Sequence, residues 1–241
     1  MTNATTARAE KAVPRHPLWV RLTHWVNTGA FLALLVSGFA ILLALPRLFW
    51  GETGANDAPA WIVLPLPVNL EQTGWGRNLH FLAAWIFVLN GALYGLLALA
   101  SGRLLRRLTP DRDQLHPRHI AADIRAHLRL TGSGGAGAGR YNVLQKLAYL
   151  AVILVLAPVM LLSGMTMSPG VTAAYPELFT LFGGRQSART IHFLSAAGLV
   201  GFLLIHVWQV LANGPLDLMR GMITRRSAWP KSELTPEEDP R

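Results

Sequence analysis

Long apolar stretches, separated by segments that hold most of the charged residues, are the main pattern along this chain of 241 residues. Four stretches are each close to the roughly 20 residues that an α-helix needs to cross the hydrocarbon core of a bilayer. They predict membrane spans at about 23–45, 79–100, 143–162 and 190–211. Pro158 predicts a kink in the third span, which neighbouring helices can accommodate within a membrane. The pattern therefore predicts an all-α integral membrane protein built as a four-helix bundle.

Composition and charge support this prediction, because only 15% of the residues are charged and a soluble domain would carry about a quarter. We expect one transmembrane domain over residues 23–225, between an N-terminal segment (1–22) and a tail (226–241). Basic residues crowd into both ends and the loop after the second span, so the positive-inside rule makes both termini cytoplasmic. The N-terminal segment lacks an apolar core and a small-residue cleavage site, so we expect no removable signal peptide.

The net charge of +9 does not indicate a nucleic-acid partner. The basic residues flank apolar spans, where membrane topology accounts for them, and no nucleic-acid module is recognisable. We expect them to face membrane lipid, with residues 117–130 as a basic helix on the anionic inner leaflet. The chain has no cysteine, which excludes disulfides, thiolate-held iron–sulfur clusters and covalent c-type haem.

The eight histidines divide into two groups. One group lies in polar cytoplasmic segments, and we interpret its members as exposed: His16, His116, His119 and His127. The other group lies within or at the ends of the spans: His24, His80, His192 and His206. Ionisable residues inside a membrane are costly and usually mark a functional site, although a single histidine can also serve as a hydrogen bond between helices.

The spacing of the membrane histidines indicates haem. His192 and His206 are fourteen residues apart, close to four helical turns, so both side chains leave one face of the fourth span about 21 Å apart. His24 is level with His206 at the cytoplasmic end, and His80 is level with His192 at the outer end. Two pairs at two depths predict two non-covalent b-type haems, each ligated by imidazoles from different helices.

The four membrane histidines have two other possible interpretations. A non-haem metal site gathers three or four ligands around one ion, whereas these pairs lie far apart without supporting carboxylates in the membrane. A histidine-lined transporter of metal ions or small molecules is the alternative from another functional class. The absence of an internal repeat or a pair of broken helices disfavours it.

An arginine precedes three of these histidines by three residues, about one helical turn towards the aqueous end. The three are Arg21, Arg77 and Arg189. A guanidinium at that position can pair with a haem propionate through two hydrogen bonds. The alternative is an ordinary arginine extending from a helix end to the membrane interface.

The motif Arg-Leu-Thr-His-Trp at residues 21–25, His80 at the start of the second span and the His192/His206 pair resemble a known family. It comprises the cytochrome b561-like membrane subunits of formate dehydrogenases, nickel–iron hydrogenases and thiosulfate reductases. The resemblance covers about residues 14–225 and is closest to the thiosulfate-reductase type. Three further stretches carry it: 76–81, 141–146 and 183–193.

The resemblance implies a dihaem cytochrome of the bacterial inner membrane, an electron-transfer subunit rather than an enzyme by itself. It assigns the outer haem to His80 and His192 and the inner haem to His24 and His206. It also implies an outer-face redox partner of the molybdopterin, iron–sulfur or hydrogenase type, and exchange of electrons with quinone near the inner haem. Three polar residues at the start of the third span are the quinone candidates, with helix capping as the alternative: Asn142, Gln145 and Lys146.

The two outer loops are unusually apolar for segments outside the membrane core. Their largest aromatic side chains are the candidate anchors for a partner subunit: Trp50, Trp61, Phe179 and Phe182. The alternative is an aromatic belt at the membrane interface that touches no protein.

Overall fold

A computed structural model describes residues 16–54, 58–102, 109, 116–118, 121, 143–212 and 215–223. Within these residues four helical segments are long and apolar enough to cross a membrane. They are α1 (Leu18–Ala44), α2 (Thr73–Ala100, after a 3-10 turn at Leu70–Gln72), a third span (Val143–Thr166) and α7 (Arg185–Ala212). The third span consists of α3 (Val143–Ala151), a π-helical turn (Val152–Leu156) and α4 (Ala157–Thr166). Three short helices complete the order: α5 (Pro169–Ala174), α6 (Glu177–Phe182) and α8 (Pro215–Ile223). The all-α membrane fold is thereby confirmed.

Three of the spanning helices begin earlier than hydropathy alone indicates, at Leu18, Thr73 and Arg185. The added turns of α2 and α7 are polar and that of α1 contains Arg21, so the uninterrupted apolar run begins later than the backbone hydrogen bonds of the helix. As a consequence, each arginine of the three Arg-x-x-His motifs lies on the same helix as its histidine.

The third span is irregular where Pro158 was expected to disturb it. Proline has no N–H, and its ring crowds the carbonyl of the residue four positions earlier, here Leu154. The π-helical turn Val152–Leu156 contains that carbonyl. A wider turn relieves this kind of crowding, so the expected distortion takes the form of a π-helical turn.

The spans pack as two hairpins, α1 along α2 and α4 along α7. Small side chains lie at the buried positions of the first hairpin, among them Ala40 and Ala83, which allows close approach of the helices. A polar link lies inside it: the Asn90 side-chain amide donates to the Thr23 carbonyl and to Asn27 Oδ1, at 2.8 Å each. Such hydrogen bonds satisfy polar groups that lipid cannot.

The loop between α1 and α2 is anchored to the start of α7. It holds a two-residue antiparallel ribbon, β1 (Arg47–Leu48) with β2 (Ile62–Val63), which the sequence analysis did not predict. The Gly51 N–H donates to Ser187 Oγ, and Thr190 Oγ1 donates to the Phe49 carbonyl, both at 2.7 Å. We call this end of the bundle the ribbon end.

The opposite end, where α1 begins, is here called the terminal end. There Arg21 Nε donates to the Met222 carbonyl at 3.0 Å, its Nη2 donates to the Ile223 carbonyl, and Trp25 Nε1 donates to the Met222 carbonyl at 3.3 Å. The last carbonyls of a helix have no partner within that helix, so α1 caps α8. The basic helix predicted at residues 117–130 lies almost entirely outside the described residues, as do most of the segment 1–22 and all of the segment 226–241.

Candidate functional site

The four membrane histidines form two facing pairs, and α7 contributes one residue to each. At the ribbon end, the ring centroids of His80 (α2) and His192 (α7) are 6.2 Å apart and the ring planes are inclined at 62°. At the terminal end, the centroids of His24 (α1) and His206 (α7) are 6.4 Å apart, at 51°. Each pair therefore joins the first hairpin to α7, at two depths of the bundle.

The spacing within each pair fits one metal ion between two imidazoles. With nitrogen–metal bonds of about 2 Å on opposite sides of the ion, the two ring centroids lie roughly 6 Å apart. Both measured separations agree with that value. In the part of the chain that the structure describes, no three or more His, Cys, Asp or Glu residues gather as a metal site. Two axial nitrogens are the donor set that haem requires, since the porphyrin supplies the other four.

Serine hydroxyls hold the rings of the ribbon-end pair. His80 Nδ1 lies 3.0 Å from Ser37 Oγ, and His192 Nδ1 lies 3.1 Å from Ser163 Oγ. Both serines are fully buried. A glycine follows each serine, and a Cβ atom added there would come within 3.4 Å of His80 Cε1 or 3.2 Å of His192 Cε1. Each ring is thus packed against a Ser-Gly dipeptide of the preceding span.

The terminal-end pair has different surroundings. The His206 ring stacks on Phe202 with centroids 6.3 Å apart and planes at 15°, and the His24 ring meets Trp25 edge-on at 5.3 Å. Among the described residues, His24 Nδ1 and Arg21 Nη1 are buried nitrogens that lack a hydrogen-bond partner. Buried polar atoms without partners are costly, so two such atoms beside one histidine pair fit a site that takes an additional polar group.

Two of the three candidate arginines donate to backbone carbonyls. Arg21 is buried, and two of its nitrogens cap α8, which leaves Nη1 for a further acceptor. Arg189 Nη2 donates to the Leu45 carbonyl at 2.5 Å and so ties α7 to the end of α1. Arg77 is exposed in the first turns of α2. The sequence analysis predicted propionate contacts for all three and did not foresee these links between helices.

Beside the terminal-end pair, Gln145 of α3 donates from Nε2 to Oε1 of Gln209 on α7 at 2.6 Å. Gln209 lies three residues after His206, one turn along the same helix, and the sequence analysis missed it. Lys146 is buried, and its Nζ donates to the Thr109 carbonyl at 3.2 Å. Asn142, the remaining quinone candidate, lies outside the described residues.

The two loops at the ribbon end contain exposed tryptophans and half-buried phenylalanines. Trp50 and Trp61 are more than half exposed and meet edge-to-face with centroids 5.3 Å apart. Phe179 and Phe182 are half-buried, and the Arg185 guanidinium lies over the Phe179 ring at 5.4 Å. An open groove of about 680 Å³ lies in the same region. Its lining residues are Met165, Tyr175, Glu177, Leu178, Thr180 and Leu181.

Comparison with known proteins identifies the family. A family model described as prokaryotic cytochrome b561 matches residues 15–225. The chain belongs to this family. It is 33% identical over 198 residues, 81% of this chain and 89% of the relative, to a putative protein-methionine-sulfoxide reductase subunit YedZ1 of Azospira oryzae. It is 27% identical over 203 residues, 80% of this chain and 76% of the relative, to a probable Ni/Fe-hydrogenase B-type cytochrome subunit of Cupriavidus necator.

Membership makes the protein a multi-pass membrane cytochrome of the b type that acts in electron transfer, as the resemblance implied. The transporter alternative is set aside, because this family consists of haem proteins. The finer likeness to the thiosulfate-reductase type remains a prediction, as do the ligand assignments of individual histidines.

Proposed function

We propose that the chain is the membrane-anchoring subunit of a respiratory oxidoreductase of the bacterial inner membrane. It would carry electrons between quinone at the terminal end and a redox partner subunit at the ribbon end. Two b-type haems would be ligated by His80 with His192 and by His24 with His206. The observation that carries the proposal is the presence of two histidine pairs with centroids 6.2 and 6.4 Å apart, at two depths of one helix.

Haem iron, when bound, supplies one-electron redox chemistry at each site. The protein supplies position and environment. The histidines hold each site between the hairpins, and the apolar outer faces of the spans keep water away. Arg21 Nη1 and the exposed Arg77 are the groups best placed to neutralise propionates. The two sites are about 21 Å apart along α7, which covers most of a hydrocarbon core of about 30 Å.

The positions of the arginines support one orientation of the bundle in the membrane. The loop between the second and third spans enters and leaves at the terminal end, and it carries eight arginines between Arg103 and Arg140. The positive-inside rule then makes the terminal end cytoplasmic and the ribbon end periplasmic. Quinone would therefore react on the cytoplasmic side, and the partner subunit would dock in the periplasm.

The quinone site would include Gln145 and Gln209, with Asn142 at the start of the third span. Side-chain amides donate hydrogen bonds to carbonyl oxygens, which are the polar atoms of a quinone. The 2.6 Å contact between the two glutamines, one turn from His206, supports a polar site beside the inner haem.

The partner would be a molybdopterin, iron–sulfur or hydrogenase-type subunit. The two relatives are named as subunits of a methionine-sulfoxide reductase and of a nickel–iron hydrogenase, which supports a redox partner without choosing between these types. Trp50 and Trp61 are exposed and adjacent at the ribbon end, as aromatic anchors of an interface commonly are.

Purification of the protein from its native membrane tests the proposal. We expect two b-type haems per chain in a reduced-minus-oxidised spectrum and a haem assay, reduction by a quinol analogue, and a co-purifying redox subunit. A haem-free preparation, or one haem per chain at full occupancy, would refute the arrangement of two histidine pairs.

A further inference from the structure

The two ribbon-end histidines are held in the same way by corresponding residues of the two hairpins. Ser37 lies on the first helix of its hairpin and contacts His80 on the second. Ser163 lies in the third span and contacts His192 on the fourth. Both serines precede a glycine, and both are fully buried. The two contacts therefore approach the histidine pair from its two sides.

The hydroxyl proton of each serine is already used. Ser37 Oγ donates to the Ala33 carbonyl and Ser163 Oγ donates to the Val159 carbonyl, both at 2.6 Å. This bond to the carbonyl four residues earlier is a common arrangement of serine in membrane helices. The oxygen then has only lone pairs left for the imidazole, so the imidazole must be the donor. The proton of His80 and of His192 is therefore on Nδ1, and Nε2 carries a free lone pair.

We propose that Ser37 and Ser163 are positioning residues that set the tautomer and the donor strength of the two outer-haem ligands, and thereby lower the potential of that haem. The inference rests on the proposed haem sites. A hydrogen bond from the far nitrogen of a ligating histidine fixes the ring and makes it a more basic ligand. A more basic axial ligand favours ferric over ferrous iron, so the bond lowers the midpoint potential.

The effect should be confined to the outer haem. At the terminal end, His24 Nδ1 is among the described buried nitrogens without a partner, and the contacts of His206 include stacking on Phe202. The two sites thus differ in how their ligands are held, although both consist of two histidines. A difference in potential between them would favour electron flow in one direction.

The experiment is a redox titration of the purified holoprotein with Ser37→Ala and Ser163→Ala. We expect the outer component to titrate at a higher potential, with a roughly fivefold change in its reduced-to-oxidised ratio at fixed ambient potential, as loss of one ordinary hydrogen bond implies. Each ring keeps a backbone acceptor in these variants, the Leu34 carbonyl for His80 and the Met160 carbonyl, 3.1 Å from Nδ1, for His192, so the two changes should be similar. The outer component is identified as the one that His80→Ala removes.

Ser187→Ala is the matched control. Ser187 is equally buried at the ribbon end, but its Oγ accepts from the Gly51 N–H and donates to the Gly183 carbonyl. If the alanine substitutions act only by loosening the packing of the ribbon end, Ser187→Ala should also shift the midpoint potential of the outer haem. If they act through the imidazole hydrogen bond, Ser187→Ala should cause no shift. Ser37→Thr and Ser163→Thr retain the hydroxyl, so at least one of these two variants should have the wild-type midpoint potential at the outer haem.

Three results would overturn the inference while haem binding remains intact. The outer potential could stay unchanged in both alanine variants, both haems could shift together, or Ser187→Ala could shift the potential equally. If instead the wild-type protein binds no haem, the proposed function itself fails, and this outcome is distinct from the other three.

Discussion

Gln145 and Gln209, on adjacent spans, are joined by a hydrogen bond of 2.6 Å one turn from His206. Replacing both by leucine would remove the amide donors beside the proposed inner haem site but leave its proposed histidine ligands, His24 and His206, in place. We expect quinol-dependent haem reduction to slow by about tenfold or more, since a lost hydrogen bond to a buried carbonyl costs about 1–3 kcal/mol. Stopped-flow reduction by a quinol analogue measures this rate.

The control for this experiment is Gln72→Leu, at the other end of the bundle, where Gln72 Oε1 accepts from Trp75 Nε1 at 3.0 Å. Haem content should be unchanged in all these variants. A quinol rate equal to that of the wild type in the double variant would show that quinone binds elsewhere.

Substitution of a single histidine should remove only the haem that its pair ligates. We expect His80→Ala and His192→Ala to remove the outer haem and to spare the inner one, because each removes one of two axial ligands at a single site. His24→Ala and His206→Ala should do the reverse. Haem quantification with redox titration distinguishes the two haems, and His116→Ala, an exposed histidine, is the control. If the His24 and His80 variants lost the same haem, the assignment of pairs would be wrong.

Arg21→Ala should loosen α8. The substitution removes two hydrogen bonds from a charged donor to the Met222 and Ile223 carbonyls, together worth about 2 kcal/mol or more. Tryptic cleavage at Arg220, which lies in α8, should become at least about tenfold faster in detergent. Arg77→Ala serves as the control, because Arg77 is an exposed arginine at the ribbon end. Equal cleavage in both variants would mean that Arg21 does not hold the helix.

If the partner docks at the ribbon end, the double variant Trp50→Ala with Trp61→Ala should co-purify less of the redox subunit. These two rings are exposed, whereas Phe179 and Phe182 are half-buried, so the tryptophans are the better anchors. Arg118→Glu in the opposite loop should leave the complex intact. Full retention of the partner by the double tryptophan variant would instead favour an aromatic belt at the membrane interface.

Topology can be tested by thiol labelling, because the chain has no cysteine and a single introduced one gives an unambiguous signal. In intact cells permeabilised only at the outer membrane, an impermeant thiol reagent should label Glu52→Cys. It should label Arg118→Cys only after the inner membrane is opened. Both positions are exposed. The reverse pattern would invert the orientation and move the quinone site to the periplasmic side.

Much of the fold was predictable because lipid imposes strong constraints on sequence. Hydropathy located the four spans, and the separation of fourteen positions from His192 to His206 placed both on one face of a helix. Helix ends were less predictable, since α2 and α7 begin, at Thr73 and Arg185, with polar turns that hydropathy does not register. The β1–β2 ribbon is only two residues long in each strand and produces no detectable alternation.

The partners of the polar residues could not be predicted, because they depend on which helices meet. Ser37 and Ser163 look like any serine in a membrane helix, and only the packing of each hairpin brings them to Nδ1 of a histidine. Arg21 was interpreted from its spacing of three residues from His24, whereas two of its nitrogens bind carbonyls at the end of α8, 201 and 202 positions later in the chain. Gln209 could have been predicted as a candidate site residue, because it lies one helical turn after His206 on the same span.

Because α7 carries one histidine of each pair, the distance between the two sites depends on a count of residues in a single helix. Substitutions between His192 and His206 can change packing but hardly change that distance. Deletion of one residue there would turn one imidazole by about 100° around the axis and shorten the separation by about 1.5 Å. The segment should therefore tolerate changes of residue type far better than changes of length.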